Sequence, residues 1–178
     1  MDYKVKEEII SWVKTLVVAV VLAFLCQKFL FLPVGVSGES MLPTLKDRDR
    51  IIVSRTTSID RFDIIVFDSP TSDEDYIKRV IGIPGDKLEF KNDVLYINGE
   101  LYEENYVKNI EGLTKVTGDL SLEKLTGYSE VPENRYFVLG DNRGNSKDSR
   151  YFGFITEESI AGEALFRFYP FDQLGKVN

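Results

Sequence analysis

Two residues, Ser40 and Lys78, carry the chain's most suggestive chemistry. Ser40 lies in Ser37-Gly38-Glu39-Ser40-Met41-Leu42-Pro43-Thr44-Leu45, where Gly38 bounds the turn and Pro43 stops a regular helix from running on. Most serines in such turns bond only their own backbone, so this hydroxyl needs a base before it is a nucleophile. The chain has no histidine, which removes Ser-His and Cys-His dyads and every histidine-liganded metal site. Its single cysteine, Cys26, sits in an apolar run, so no disulfide framework or cysteine zinc cluster is expected.

Hydrolytic chemistry would then run on hydroxyls, carboxylates, lysine or a metal held by oxygen, and the base that suits a serine hydroxyl is a lysine that gives up its proton. A free lysine titrates near 10.4, and bringing it to about 8 requires roughly 3 kcal/mol of desolvation. That calls for a lysine embedded in an apolar strand. In Tyr76-Ile77-Lys78-Arg79-Val80-Ile81, strand alternation sets Tyr76, Lys78 and Val80 on one face. Other lysines sit in turns or beside acidic or polar groups: Lys46 by Asp47, Lys91 by Asn92 and Asp93, Lys147 by Asp148. An isolated strand lysine more often snorkels to solvent, so Lys78 gains chemical meaning only if it meets Ser40.

A third stretch, Gly140 to Arg150, is dense in hydrogen-bonding groups. By composition it is a polar loop, or a cation site built from Asp141, Asn142 and Asp148. It lacks the closing glutamate of a calcium loop, so neither metal nor cofactor is expected. In an extended segment Asp148 and Arg150 share a face and can pair, and the Ser146 hydroxyl offers a group to orient a neutral lysine amine.

These stretches need elements to hold them. Residues 1–8 are a short polar tail, and from Ile9 to Leu32 the chain is largely apolar, with no charged residue from Thr15 to Cys26. A stretch of that length spans a bilayer as a helix, with Lys14 and Lys28 snorkelling and Trp12 and Phe29 or Phe31 near the interfaces. A cleaved signal peptide would want a small-residue site after the run, a lipoprotein a small residue before Cys26, and a soluble helix a polar face; the sequence shows none of these. Lysines on both sides leave the orientation undetermined by charge.

After Pro33 short β-like runs alternate with turns: Ile51–Val53, Ile64–Phe67, Tyr76–Ile83, Lys87–Phe90, Val94–Ile97, Tyr136–Leu139 and Ala164–Tyr169. Pro84-Gly85-Asp86 and Asn98-Gly99 mark turns, the latter a hairpin tip, and Thr156–Ala161 suggests one helical turn. The fold class is mainly β, an antiparallel catalytic domain over 33–178 with few short helices, preceded by one transmembrane helix at 9–32. Residues 98–132, acidic and weakly periodic, read as a solvated insertion without a function of their own. The net charge is -7, which disfavours nucleic acid as a partner.

With the anchor first, then Ser40-Met41-Leu42-Pro43-Thr44-Leu45, then Tyr76 to Asp86, then Gly140 to Arg150, the chain resembles the bacterial type I signal peptidases in their compact Gram-positive form. The resemblance implies a single-pass cell-membrane protein, N-terminus cytoplasmic and catalytic domain outside, that cleaves signal peptides from exported precursors. It implies Ser40 as nucleophile and backbone oxyanion donor, Lys78 as general base and Ser146 as the group positioning the lysine. Arg79, Asp141, Asp148 and Arg150 correspond to charged residues bracing the site, and Met41, Leu45 and Ile77 to the substrate pocket. The substrate would bind as an added strand with alanine-like residues at positions -1 and -3. One departure is Gly38, where some relatives carry a serine that helps hold the oxyanion. Two other readings are a self-cleaving Ser/Lys repressor-type protease, which needs a DNA-binding head where this chain has an apolar run, and a non-catalytic assembly factor, which need not keep both Ser40 and Lys78.

Overall fold

The computed structural model describes residues 3–107 and 117–177, with the side chains of 3–5 and 25–28 left aside. Part of the expected insertion, residues 108–116, and the side chains of Cys26 and Lys28 therefore lie outside the described residues.

Helix α1 runs from Tyr3 to Phe29, so it takes in most of the stretch expected as a polar tail. The apolar side chains from Ile9 to Phe24 are exposed along it, Phe24 at 61%. Among the described residues no helix is long and apolar enough to cross a membrane. The helix stops before Pro33, which lacks the amide a further turn needs and instead sits in strand β1, Phe31–Gly35. Phe31 and Leu32, read from sequence as the end of the apolar helix, pair antiparallel with β2, Arg50–Ser54. Proline is tolerated there because β1 is an edge strand.

The remaining strands are β3 (Ile64–Asp68), β4 (Asp75–Gly82), β5 (Leu88–Lys91), β6 (Val94–Ile97), β7 (Glu100–Tyr102), β8 (Leu120–Ser121), β9 (Arg135–Leu139), β10 (Ile155–Thr156), β11 (Ile160–Tyr169) and β12 (Gly175–Lys176). Two short helices, α2 (Leu122–Thr126) and α3 (Ser149–Phe152), interrupt them. The larger sheet has the order β1-β2-β11-β3-β4-β9-β10, with β12 on β11; the smaller has the order β7-β6-β5-β8. Every pairing is antiparallel, so the mainly β, antiparallel class expected from sequence is what forms.

The apolar patterns explain this arrangement. Ile64-Ile65-Val66-Phe67 is apolar without alternation because β3 is buried on both faces. Ile64 and Val66 join a cluster with Met41, Leu45, Ile77 and Ala164. Ile65 and Phe67 join another with Val80, Tyr136 and Val138. A third cluster, including Ile81, Leu88, Phe90 and Phe137, fills the space between the two sheets. Asn98-Gly99 is the two-residue hairpin tip between β6 and β7, as the sequence predicts.

Two local readings shift. The last long strand starts at Ile160, earlier than the predicted Ala164, and the predicted helical turn shrinks to one 3-10 turn over Glu157–Ser159. The strand starts early because Gly162 lets it pass close to β2: a Cβ there would sit 2.1 Å from the Ser54 carbonyl oxygen, and its φ is +151°. We expect Gly162→Ala to destabilise the protein by about 3 kcal/mol, read as a fall in the thermal unfolding midpoint in detergent. A change within about 0.5 kcal/mol would mean that β2 and β11 are less closely apposed than described.

Candidate active site

Three segments of the larger sheet's strands and loops meet: the turn after β1, the start of β4, and the loop after β9. β4 brings Lys78 out of the sheet on the face of Tyr76 and Val80, as alternation requires, with Nζ 5.1 Å from the Tyr76 ring centroid. Its amine lies 2.8 Å from Ser40 Oγ and donates to the Ile77 carbonyl oxygen at 2.8 Å. The residue is only 4% exposed. Burial pushes the Lys78 ammonium down from 10.5 to about 8, against the opposing pull of Asp148, Tyr76 and Asp141. Neither carboxylate lies within ion-pairing distance of Lys78 among the described residues.

The two carboxylates are committed elsewhere. Arg79, next to Lys78 but on the opposite face of β4, donates to both oxygens of Asp141 at 2.9 and 2.8 Å, and both side chains are buried. Arg150 grips Asp148 with two bonds of 2.8 Å, and Asp148 also accepts from the Gly140 amide at 3.0 Å. Asp148 further serves as N-cap of α3, accepting from the Arg150 amide. Each aspartate is thus held by an arginine rather than acting as a counter-ion that would keep Lys78 protonated. Of the three side chains read from sequence as a possible cation site, the Asp141 and Asp148 carboxylates are used in these contacts, whereas Asn142 Oδ1 is buried without a partner.

The main chain around Ser40 is pinned by the same loop. The Asn142 amide donates to the Ser40 carbonyl oxygen at 3.0 Å, and Asn142 Nδ2 donates to the Glu39 carbonyl oxygen at 3.0 Å. Gly140 makes this fit possible, since a Cβ there would meet Ser146 Oγ at 2.2 Å and the Ser40 carbonyl oxygen at 2.5 Å. Ser146 lies over Gly140 with its hydroxyl buried and unpartnered, and no hydrogen bond joins it to Lys78. Gly38 leaves open space where a side chain would be, and its amide donates to Asp47 Oδ1 at 3.0 Å.

A cleft of about 370 Å³ opens beside the pair. Val34 to Val36 of the β1 end form one wall, Asp75 to Lys78 of β4 the other, with Met41 between them. Ile77 lines the cleft too, whereas Leu45 is fully buried in the cluster behind it. Among the described residues β1 pairs with β2 alone, and residues 75–78 of β4 pair with β3 but not with β9, so strand edges on both walls are unpaired there. Sequence reasoning missed the parts played by Tyr76, Asn142 and Gly140. The glycine closing an apolar strand just before a polar loop was the available signal.

A lysine kept at a depressed value costs stability. Between pH about 8 and 10.5 the unfolded chain binds a proton that folded Lys78 has lost, so stability rises with pH across that window and the full cost is felt below it. That cost is about 3 kcal/mol, and a methionine would forgo it while losing the bond to Ile77, worth about 1 kcal/mol. Lys78→Met is therefore expected to be about 2 kcal/mol more stable than the wild type at neutral pH, the gain vanishing by pH 10.5. Chemical denaturation across that range reads it, and an unchanged or lower neutral-pH stability would contradict a desolvated amine.

Residues 9–169 match the family model described as signal peptidase, peptidase S26. The chain is 46% identical over 178 residues to signal peptidase I S of Bacillus subtilis (strain 168), covering 97% of this chain and 96% of the relative. It is 42% identical over 180 residues to signal peptidase IB of Staphylococcus aureus (strain COL), covering 94% and 93%. Among solved structures, it is similar to a crystal structure of a signal peptidase I from Enterococcus faecalis V583, with a TM-score of 0.56 and 44% identity over 60% of this chain and 97% of that one. With the family matched over most of its length, the chain belongs to the S26 family of signal peptidases.

Proposed function

We propose that this chain is a membrane-anchored serine endopeptidase that cleaves N-terminal signal peptides from exported precursor proteins, with Ser40 and Lys78 as its catalytic dyad. The observation that carries the reading is the 2.8 Å contact between the Ser40 hydroxyl and a buried lysine amine. In the protonated state Nζ donates to Oγ; once the amine is neutral the contact reverses, and Oγ–H points at the lone pair. Lys78 then takes the hydroxyl proton as Oγ attacks the scissile carbonyl carbon. The Ser40 amide donates to the oxyanion that forms, and the ammonium returns its proton to the departing amine. The resulting ester is hydrolysed when Lys78 takes a proton from water as its oxygen adds to the acyl carbon, and the ammonium then returns a proton to Ser40 Oγ as that oxygen leaves.

The cleft suits an extended peptide, which would pair with the unpaired edges of β1 and β4 while Met41 and Ile77 press on alternate side chains. Leu45 supports Met41 from behind within the same cluster. A shallow pocket of this kind admits alanine-like residues at -1 and -3. Arg79 with Asp141, and Arg150 with Asp148, brace the loop, and Ser146 orients the amine when a substrate reorders the site. The exposed apolar side chains of α1 and the uncharged run from Thr15 to Cys26 support an anchor within 9–32 that passes once through the cell membrane. The orientation, N-terminus cytoplasmic and domain outside, rests on the family resemblance rather than on these residues. The partners are then signal peptides and the lipid bilayer, and the net charge of -7 disfavours nucleic acid.

The test uses the full chain in detergent micelles and a precursor bearing alanine at -1 and -3. Ser40→Ala and Lys78→Ala each lower the rate by about 10³-fold or more with the fold retained. Because the neutral amine is the base, kcat/KM of the wild type rises about tenfold per pH unit below pH 8 and levels off above it. Full activity in either variant, or a rate flat from about pH 6 to 9, would sink the dyad.

A further inference from the structure

The insertion read from sequence as a solvated acidic face carries Glu104, whose side chain is 1% exposed. Its carboxylate forms a bidentate pair with Arg143 of the loop after β9: Nη1 donates to Oε2 at 3.1 Å and Nη2 to Oε1. Arg143 is itself fully buried, over the Phe90 ring, and Nη1 also donates to Thr117 Oγ1 at 2.9 Å. Its Nε donates to the Gly140 carbonyl oxygen at 3.0 Å, and its own carbonyl accepts from Arg150 at 2.8 Å. Tyr106 donates to Glu104 Oε1 at 2.8 Å, and the Arg79 guanidinium lies 4.0 Å from the Tyr106 ring centroid. One short piece of the insertion therefore holds both Arg143 and Arg79.

The path from Glu104 to the nucleophile is continuous. Arg143 ties the ends of Gly140–Arg143 together, and Asn142, inside that segment, holds the Ser40 and Glu39 carbonyls. The peptide unit joining Glu39 to Ser40 is planar, so fixing the Glu39 oxygen fixes the direction of the Ser40 N–H on its other side. We infer that Glu104 is a positioning residue for catalysis: through Arg143 and Asn142 it aims the Ser40 amide at the oxyanion. This rests on the Ser40/Lys78 reading and adds a role that the Ser/Lys pair alone does not require. A donor misdirected by a fraction of an ångström weakens the transition state more than the bound substrate, because the ground-state carbonyl carries little charge.

The test compares Glu104→Gln, Arg143→Gln and the double variant in the full chain, with the alanine-bearing precursor. Asp86→Asn serves as a control, since Asp86 is buried against Arg61 and its partners Arg61, Ile83 and Asn98 lie outside the cleft wall. At a temperature where every variant is folded, we expect Glu104→Gln to lower kcat by about 10- to 100-fold with KM and the pH midpoint nearly unchanged. The double variant should be no slower than Arg143→Gln, because Glu104 acts through Arg143. Asp86→Asn, matched in lost thermal stability, should keep wild-type kcat. A Glu104→Gln enzyme with wild-type kcat, a loss shared equally by Asp86→Asn, or additive losses in the double variant would each overturn the role. Ser40→Ala run alongside separates the cases: cleavage surviving there defeats the dyad itself, whereas its loss beside a normal Glu104→Gln defeats only this inference.

Discussion

A lysine amine placed among apolar side chains has two ways to lower its energy: it can find a carboxylate and remain charged, or lose its proton. This fold closes the first route. Asp141 and Asp148, the acids nearest in effect to Lys78, are each taken by an arginine with two bonds, so desolvation outweighs their pull. The remaining contacts of the amine, Ser40 Oγ and the Ile77 carbonyl, are neutral oxygens that a neutral amine also satisfies. Burial and the allocation of arginines to acids therefore act as one device.

The arginines also explain how the polar site loop is held in place. Arg79, Arg143 and Arg150 use several donors each on carboxylates and main-chain carbonyls, and the planar guanidinium suits that role where a lysine would not. Breaking one such buried pair strands a charge at a cost of about 3–5 kcal/mol, so the loop has few alternative arrangements. Gly140 allows the loop to lie against the Ser40 carbonyl, and Asn142 joins the two segments. Ser40, which sits in a turn with no regular structure, borrows its order from strands β4 and β9.

Much of this was legible in the residues themselves. The absence of histidine narrowed the bases that could serve the serine, and strand alternation put Lys78 with Tyr76 and Val80 on a buried face. The strands at Ile64, Tyr76 and Val94 were readable because their apolar residues are continuous or alternate. Contacts made by residues lacking periodicity were not readable. Glu104 looks like one of several acids in a solvated run, and only the folded chain reveals that Arg143 waits for it. The pairing of Arg79 with Asp141 and its stacking on Tyr106 likewise join segments far apart in sequence. Phe31 and Leu32 of β1 read as the end of a helix because they continue the preceding apolar run, and pairing with β2 decides the matter. The orientation of Ser146 was the least readable, since a hydroxyl can rotate and its partner depends on what fills the cleft.

The account stands on the protonation of one amine, and that can be observed directly. In the full chain, carrying lysine labelled with ¹³C at the ε carbon and held in detergent micelles, the Lys78 resonance can be assigned by its loss in Lys78→Met and followed with pH. The account predicts a midpoint of about 8, set apart from the other lysines. A midpoint near the ordinary 10.5 would mean that the amine stays charged at working pH, and a lysine base could not be sustained.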